Sequence, residues 1–65
     1  MKVPLSDLES KAQELGPRVH ISGHHVGGGA FCEITHNADE LRMAVAHARA
    51  MVPEDGIVEV VRLGY

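Results

Sequence analysis

Apolar residues recur at helical spacing in a first segment near the start of the chain. This stripe consists of Leu5, Leu8, Ala12 and Leu15. Their steps of three and four residues predict a helix of roughly two to three turns. Ser6 and Glu9 have the spacing of a capping box that would begin the helix, and Gly16-Pro17 would end it.

A second, longer stripe follows further along the chain. Its apolar positions are Leu41, Ala44, Val45, Ala48, Met51 and Val52. They predict a second helix, with Asn37 and Glu40 in the capping positions and Pro53 as its end. After the turn signal Glu54-Asp55-Gly56, the β-branched run I-V-E-V-V-R-L predicts a strand that runs almost to Tyr65.

The segment VHISGHHVGGGAFCEITH, residues 19–36, predicts a β-hairpin. A two-residue turn at Gly27-Gly28 would pair Ile21 with Ile34 and fix the face of every side chain. The helix-facing side would then carry Val19, Ile21, Gly23, His25, Ala30, Cys32, Ile34 and His36. The opposite side would carry His20, Ser22, His24, Val26, Phe31, Glu33 and Thr35.

These elements predict one α+β domain over residues 1–65, with the order α-β-β-α-β. We expect a two-layer fold in which both helices cover one face of a three-stranded sheet. The strand order 2-1-3, numbered along the predicted strands, is preferred because it resembles a split β-α-β unit. Order 1-2-3 is the alternative.

Composition narrows the class of protein. The net charge of −3 argues against non-specific binding to nucleic acids or anionic membranes. The chain has no apolar run long enough to cross a bilayer and only one cysteine, so we expect a cytoplasmic protein without an internal disulfide. A domain this short commonly gains stability from a partner subunit or a metal ion.

Four of the five histidines and Cys32 lie in the hairpin, and all are competent zinc ligands. Neighbouring residues on a strand point to opposite faces, which separates His24 from His25. Residues four positions apart on a strand lie about 13 Å apart, which is too far for both to bind one zinc ion. We therefore expect no metal or other cofactor within one chain. A metal-linked dimer, with His25 and Cys32 as ligands, remains an alternative.

Catalysis by Cys32 would need a base and an orienting group within reach. His25 shares its predicted face, but no carboxylate of the hairpin does, since Glu33 points away. We also expect too little volume for a substrate pocket of about 300 Å³ or more. The sequence therefore favours a protein that is not an enzyme and leaves its catalytic residues unassigned.

An alternative function comes from a family resemblance around S-G-H-H, residues 22–25. The order of helix, strand, S-G-H-H, strand and a histidine before a second helix resembles the small HicA-type mRNA-cleaving toxins, from Leu5 to about His36. The resemblance implies a dsRNA-binding-like fold and a histidine-dependent RNase, with His24 or His25 as the base. Those toxins are typically basic and have three strands between their helices, whereas this chain is acidic and two are predicted.

The interpretation we favour is a small non-enzymatic protein-interaction module or regulator. Its size alone suggests an accessory protein of a phage or mobile element. Because two helices can cover only one face of the sheet, apolar side chains should remain on the other face and form a homodimer or partner interface. The predicted interface has Phe31 near its centre and includes Val26, Glu33, His20 and His24.

Overall fold

A computed structural model describes residues 1–63. The chain forms β1 (Lys2–Pro4), a 3₁₀ turn (Leu5–Asp7), α1 (Leu8–Leu15), β2 (Val19–His24), β3 (Ala30–Ile34), α2 (Ala38–Met51) and β4 (Ile57–Arg62). The four strands make one sheet of order β1-β4-β2-β3, in which all neighbouring strands are antiparallel. Tyr65, at the end of the predicted last strand, lies outside the described residues.

The predicted α+β class is confirmed, and the sheet has one strand more than predicted. β2, β3 and β4 correspond to the three predicted strands and have the preferred order, with β2 between the other two. The extra strand, β1, pairs with β4 at the far edge through Val3 and Val58. Strands and helices share one aliphatic core: Val3, Leu5, Leu8, Ala12, Val19, Ile21, Phe31, Leu41, Ala44, Val45, Ala48, Val52, Val58 and Val60.

The two helices differ in how well their starts were predicted. Asn37 caps α2 as expected, because its side chain accepts a hydrogen bond from Glu40 N at 2.9 Å. Glu40 in turn accepts from the His36 backbone N–H at 2.9 Å, one residue earlier than in a standard capping box. The predicted Ser6–Glu9 box is wrong, because the 3₁₀ turn occupies that segment and α1 begins only at Leu8.

The predicted hairpin register is wrong by one residue. The connection between β2 and β3 has five residues, closed by hydrogen bonds from His25 N to Gly29 O and from Gly28 N to His25 O, both 3.1 Å. Gly27, Gly28 and Gly29 all have positive φ, between 86° and 105°, which only glycine adopts readily. The longer connection pairs His24 with Ala30 and Ile21 with Glu33.

This shift reverses the two faces of β3, since a change of one residue turns every side chain over. Phe31 is 4% exposed and belongs to the core, whereas Cys32 and Ile34 are exposed on the side away from the helices. Thr35 is also buried, where its hydroxyl donates to Pro17 O at 2.7 Å and accepts from Val19 N at 3.1 Å. The faces predicted for Val19, Ile21, His20 and His24 are unchanged.

Candidate functional site: the outer face of the sheet

The helices cover one side of the sheet, and we call the other side the outer face. Its side chains form three rows across the strands, as the pairings of β1, β2, β3 and β4 define them. The first row contains Val61, His20 and Ile34. The middle row contains Lys2, Glu59, Ser22 and Cys32. The third row contains Pro4, Ile57, His24 and Ala30.

Each histidine of β2 lies between aliphatic side chains on this face. His20 pairs with Val61 on one side and Ile34 on the other. These two neighbours are 45% and 54% exposed. His24 pairs with Ala30 and shares a surface depression with Ile57, which is 61% exposed. The outer face therefore combines apolar contact area with polar groups, as protein interfaces do.

His20 and Cys32 are in direct contact on the outer face. His20 Nε2 lies 2.8 Å from Cys32 Sγ, and the contact is exposed. The two residues are diagonal neighbours on adjacent strands, because Ser22 is the direct partner of Cys32. An imidazole nitrogen and a thiol are thus held together where solvent can reach them.

The charged residues of the middle row lie on β1 and β4. Lys2 lies opposite Glu59, and the N-terminal ammonium of Met1 forms an ion pair with Glu59 Oε2 at 3.2 Å. Met1 N also donates to Val60 O at 2.9 Å. Such half-exposed ion pairs contribute little to stability.

An open depression of about 530 Å³ lies on the outer face. It is lined by Lys2, Ser22, Gly23, His24, Ala30, Phe31, Cys32, Ile57, Val58 and Glu59. The expectation that the chain has no room for a substrate pocket of about 300 Å³ or more is therefore wrong. The space lies above the sheet, where the small side chains of Ser22 and Ala30 leave room, and not inside the core.

Only two of the five predicted interface residues lie on the outer face. They are His20 and His24 of β2. Val26 follows β2 in the connection, where it is exposed and its N–H donates to Met51 O at 2.8 Å. Phe31 and Glu33 point to the helix side, because the register of β3 differs from the predicted one. An interface on the outer face cannot therefore be centred on Phe31.

The residues considered for chemistry are also separated by the register. His25 lies in the connection, with its ring 6.0 Å from that of Phe31 in an edge-to-face arrangement. Cys32 lies on the outer face, so the alternative pair of metal ligands, His25 and Cys32, is not brought together. His24, the other candidate base, is exposed at the end of β2. Within residues 1–63 no group of three or more His, Cys, Asp or Glu side chains could hold a metal ion.

Glu33 contacts His47 of α2 at hydrogen-bond distance instead of joining the hairpin histidines. Its Oε1 lies 2.7 Å from His47 Nδ1, at the rim of the helix layer. The imidazole side of this pair is half exposed. The contact connects β3 to α2 and leaves the outer face without this carboxylate.

Sequence reasoning missed the His20–Cys32 pair and the contribution of Lys2 and Glu59. Counting the hairpin from a five-residue connection would have placed His20 and Cys32 on one face. Lys2 and Pro4 gave no strand signal, because three residues including a proline are too short a pattern.

No helix in the described part of the chain is long and apolar enough to span a bilayer. Comparisons with protein-family models, curated proteins and solved structures found no match to the chain.

Proposed function

We propose that this protein is a small non-enzymatic interaction module that binds another protein chain through the outer face of its sheet. The observation that carries the proposal is the exposure of Ile34, Ile57 and Val61 on a face that no helix within residues 1–63 covers. Polar residues at these positions would have been compatible with the fold, since the core lies entirely on the other side.

The distribution of polar groups on the outer face supports a protein partner. His20 and His24 lie among the aliphatic side chains, and Lys2, Glu59 and Ser22 lie between the two apolar rows. This arrangement offers a partner apolar area, a charge of each sign and several hydrogen-bonding groups. The net charge of −3 favours partners that are not themselves strongly acidic.

The experiment uses the protein as bait in native lysate of its source cells, with wild type and two charge variants compared by quantitative mass spectrometry. Ile34→Glu places a carboxylate on the outer face. Met43→Glu is the matched control, because Met43 is equally exposed but lies on α2. We expect a partner that wild type and Met43→Glu recover and Ile34→Glu loses. If no partner depends on Ile34 in this way, the outer face is not the binding surface.

A separate measurement addresses enzymatic activity. Under the proposal, purified wild-type protein and His24→Ala both leave RNA intact, and neither affects growth when expressed. Cleavage by wild type that His24→Ala abolishes, with the fold retained by circular dichroism, would show that the protein is an RNase.

A further inference from the structure

β3 is an edge strand, and its outward backbone groups pair with no strand within residues 1–63. Inside the hairpin, Thr35 N donates to Val19 O at 2.9 Å and His25 N donates to Gly29 O at 3.1 Å. These bonds mark the hydrogen-bonded pairs, which alternate along an antiparallel ladder with pairs that are not hydrogen-bonded. The backbone N–H and C=O groups of residues 30, 32 and 34 therefore point away from β2, toward the free edge.

The two edges of the sheet differ in their protection against a further strand. β1 has three residues and carries Lys2 and Pro4, both of which discourage pairing with another strand. β3 has five residues, A-F-C-E-I, without lysine or proline. In the described part of the chain, β3 is thus the edge that is open to another strand.

α2 forms the helix layer above this open edge. It packs against β2 and β3, whereas α1 packs against β1 and β4. Arg49 Nη2 lies 3.2 Å from Glu9 Oε1 of α1, and His47 Nδ1 lies 2.7 Å from Glu33 Oε1 of β3, so these two side chains mark opposite flanks of α2. Met51 follows His47 by one helical turn on the flank above β3, where it is 43% exposed.

A two-fold antiparallel pair of β3 strands centred on residue 32 fits the spacing of both layers. Neighbouring strands lie about 4.8 Å apart and packed helices about 8–10 Å apart, so one helix spans two strands. With α2 above β2 and β3, the two α2 helices of the pair would lie about 10 Å apart. Pairing would therefore join two sheets into one and pack α2 against its copy.

The side chains along such a pair complement one another. Cys32 would lie opposite Cys32 of the second copy, with their Cα atoms about 5.5 Å apart. Ala30 would lie opposite Ile34 of the second copy, which places a small side chain against a large one at both ends of the pair. On the helix side, Glu33 keeps its hydrogen-bond partner His47, so the pair buries no carboxylate without a partner.

The area of this edge favours a dimer that uses both layers. α2 has 14 residues and is about 21 Å long, and β3 spans about 17 Å. Because each layer is about 10 Å deep, the edge has a flat section of about 400 Å² per chain, twice that of the strand layer alone. Accessible surface exceeds the flat section because side chains protrude, so the total buried area approaches the lower limit of about 1,200 Å² for stable interfaces.

We infer that two copies of this chain form a symmetric dimer through β3 and the flank of α2 that carries His47 and Met51. The contact is isologous, because each copy contributes the same strand and the same flank. It lies beside the outer face and leaves Ile57 and Val61 uncovered. The inference therefore goes beyond the proposed function, which assigns the outer face to another protein.

The test measures the mass of the reduced full chain by sedimentation equilibrium between about 10 µM and 1 mM. We expect a reversible monomer–dimer equilibrium in this range, because the interface is near the lower limit of stable size. The backbone amides of residues 30, 32 and 34 should exchange faster in the dilute monomer than in the concentrated dimer. The amides of residues 31 and 33 face β2 and should be protected equally at both concentrations.

Two pairs of variants test the two layers separately. Cys32→Pro removes an outward N–H and no bond to β2, so it should keep the fold by circular dichroism and remain a monomer, whereas Cys32→Ser should dimerise like wild type. Met51→Glu should raise the dissociation constant at least about 10-fold, because a two-fold interface contains the substitution twice. Ala50→Glu is its control, since Ala50 is exposed midway between the buried Ala48 and Val52, on the side of α2 away from the sheet.

Three results would each overturn the inference: a wild type that stays monomeric at the highest concentration, a dimer that survives Cys32→Pro or Met51→Glu, or a dimer whose outward β3 amides stay unprotected. A dimer that Val61→Glu disrupts and Met51→Glu does not would also overturn it, because Val61 lies on the outer face of β4, away from the β3 edge.

The two proposals can fail separately. Sedimentation uses the purified protein, so a monomeric wild type overturns the dimer and leaves the lysate comparison of Ile34→Glu with Met43→Glu to decide the proposed function. A dimer with the expected response to Cys32→Pro and Met51→Glu, but without any partner that depends on Ile34, would support the inference and contradict the proposed function.

Discussion

Replacing Phe31 tests the hairpin register, on which the composition of the outer face depends. Phe31 is 4% exposed, and removing a buried phenylalanine ring costs about 3–5 kcal/mol. Ile34, three residues away, is 54% exposed. Its replacement by alanine removes one exposed cross-strand contact and should cost about 0.2–1 kcal/mol. In the register with a two-residue turn, the two effects would be exchanged.

The size of the Phe31→Ala effect matters because the domain is small. A chain of 65 residues is expected to have a free energy of unfolding of about 3–10 kcal/mol. The substitution therefore removes a large part of it. With a urea m-value of about 1 kcal/mol/M, the unfolding midpoint should fall by roughly 3 M or more.

The assay is urea unfolding of wild type, Phe31→Ala and Ile34→Ala, followed by circular dichroism in the presence of a chelator. Phe31→Leu is included because it retains much of the buried volume and should remain folded if Phe31→Ala does not. The expected order of stability is wild type, Ile34→Ala, Phe31→Leu and Phe31→Ala. If Ile34→Ala costs as much as Phe31→Ala, the assignment of faces in β3 is incorrect.

Two further substitutions test hydrogen bonds at the ends of elements. Thr35→Val keeps the side-chain volume but leaves Val19 N–H without its hydroxyl acceptor. It should lower the free energy of unfolding by about 1–3 kcal/mol and speed hydrogen exchange of the Val19 amide. Thr35→Ser retains the hydrogen bond, and equal exchange of this amide in the two variants would contradict the role given to the hydroxyl. Asn37→Ala removes the acceptor for Glu40 N and should cost about 1 kcal/mol, whereas Asn37→Ser should recover most of it in the same unfolding assay.

The sequence was informative where local chemistry decides the structure. The apolar period of α2, its cap at Asn37 and its end before Pro53 depend on neighbouring residues alone. The strand order could be predicted because few topologies connect these elements without crossing or left-handed connections. The buried Val58 and Val60 and the exposed Ile57 and Val61 follow from alternation along one strand.

The predicted register of the β2–β3 hairpin was wrong because the register depends on the length of the connection between these two strands. Three glycines can form a two-residue turn or belong to a five-residue one, and composition does not distinguish the two. Since that choice sets the face of Cys32, it also decided which histidine contacts the thiol. β1 was missed because its stability comes from pairing with β4, whose partner residues lie 53–57 positions later in the chain, and not from a pattern of its own.

The position of β4 has a consequence for how the protein is made. This strand lies between β1 and β2 in the sheet, yet it is synthesised after both. On the ribosome, β1 has no neighbour to pair with, and β2 can pair only with β3, until residues 57–62 have emerged. The helices must likewise wait for Val58 and Val60 to complete the surface that they cover. The sheet is therefore completed through contacts of large sequence separation, which slow folding.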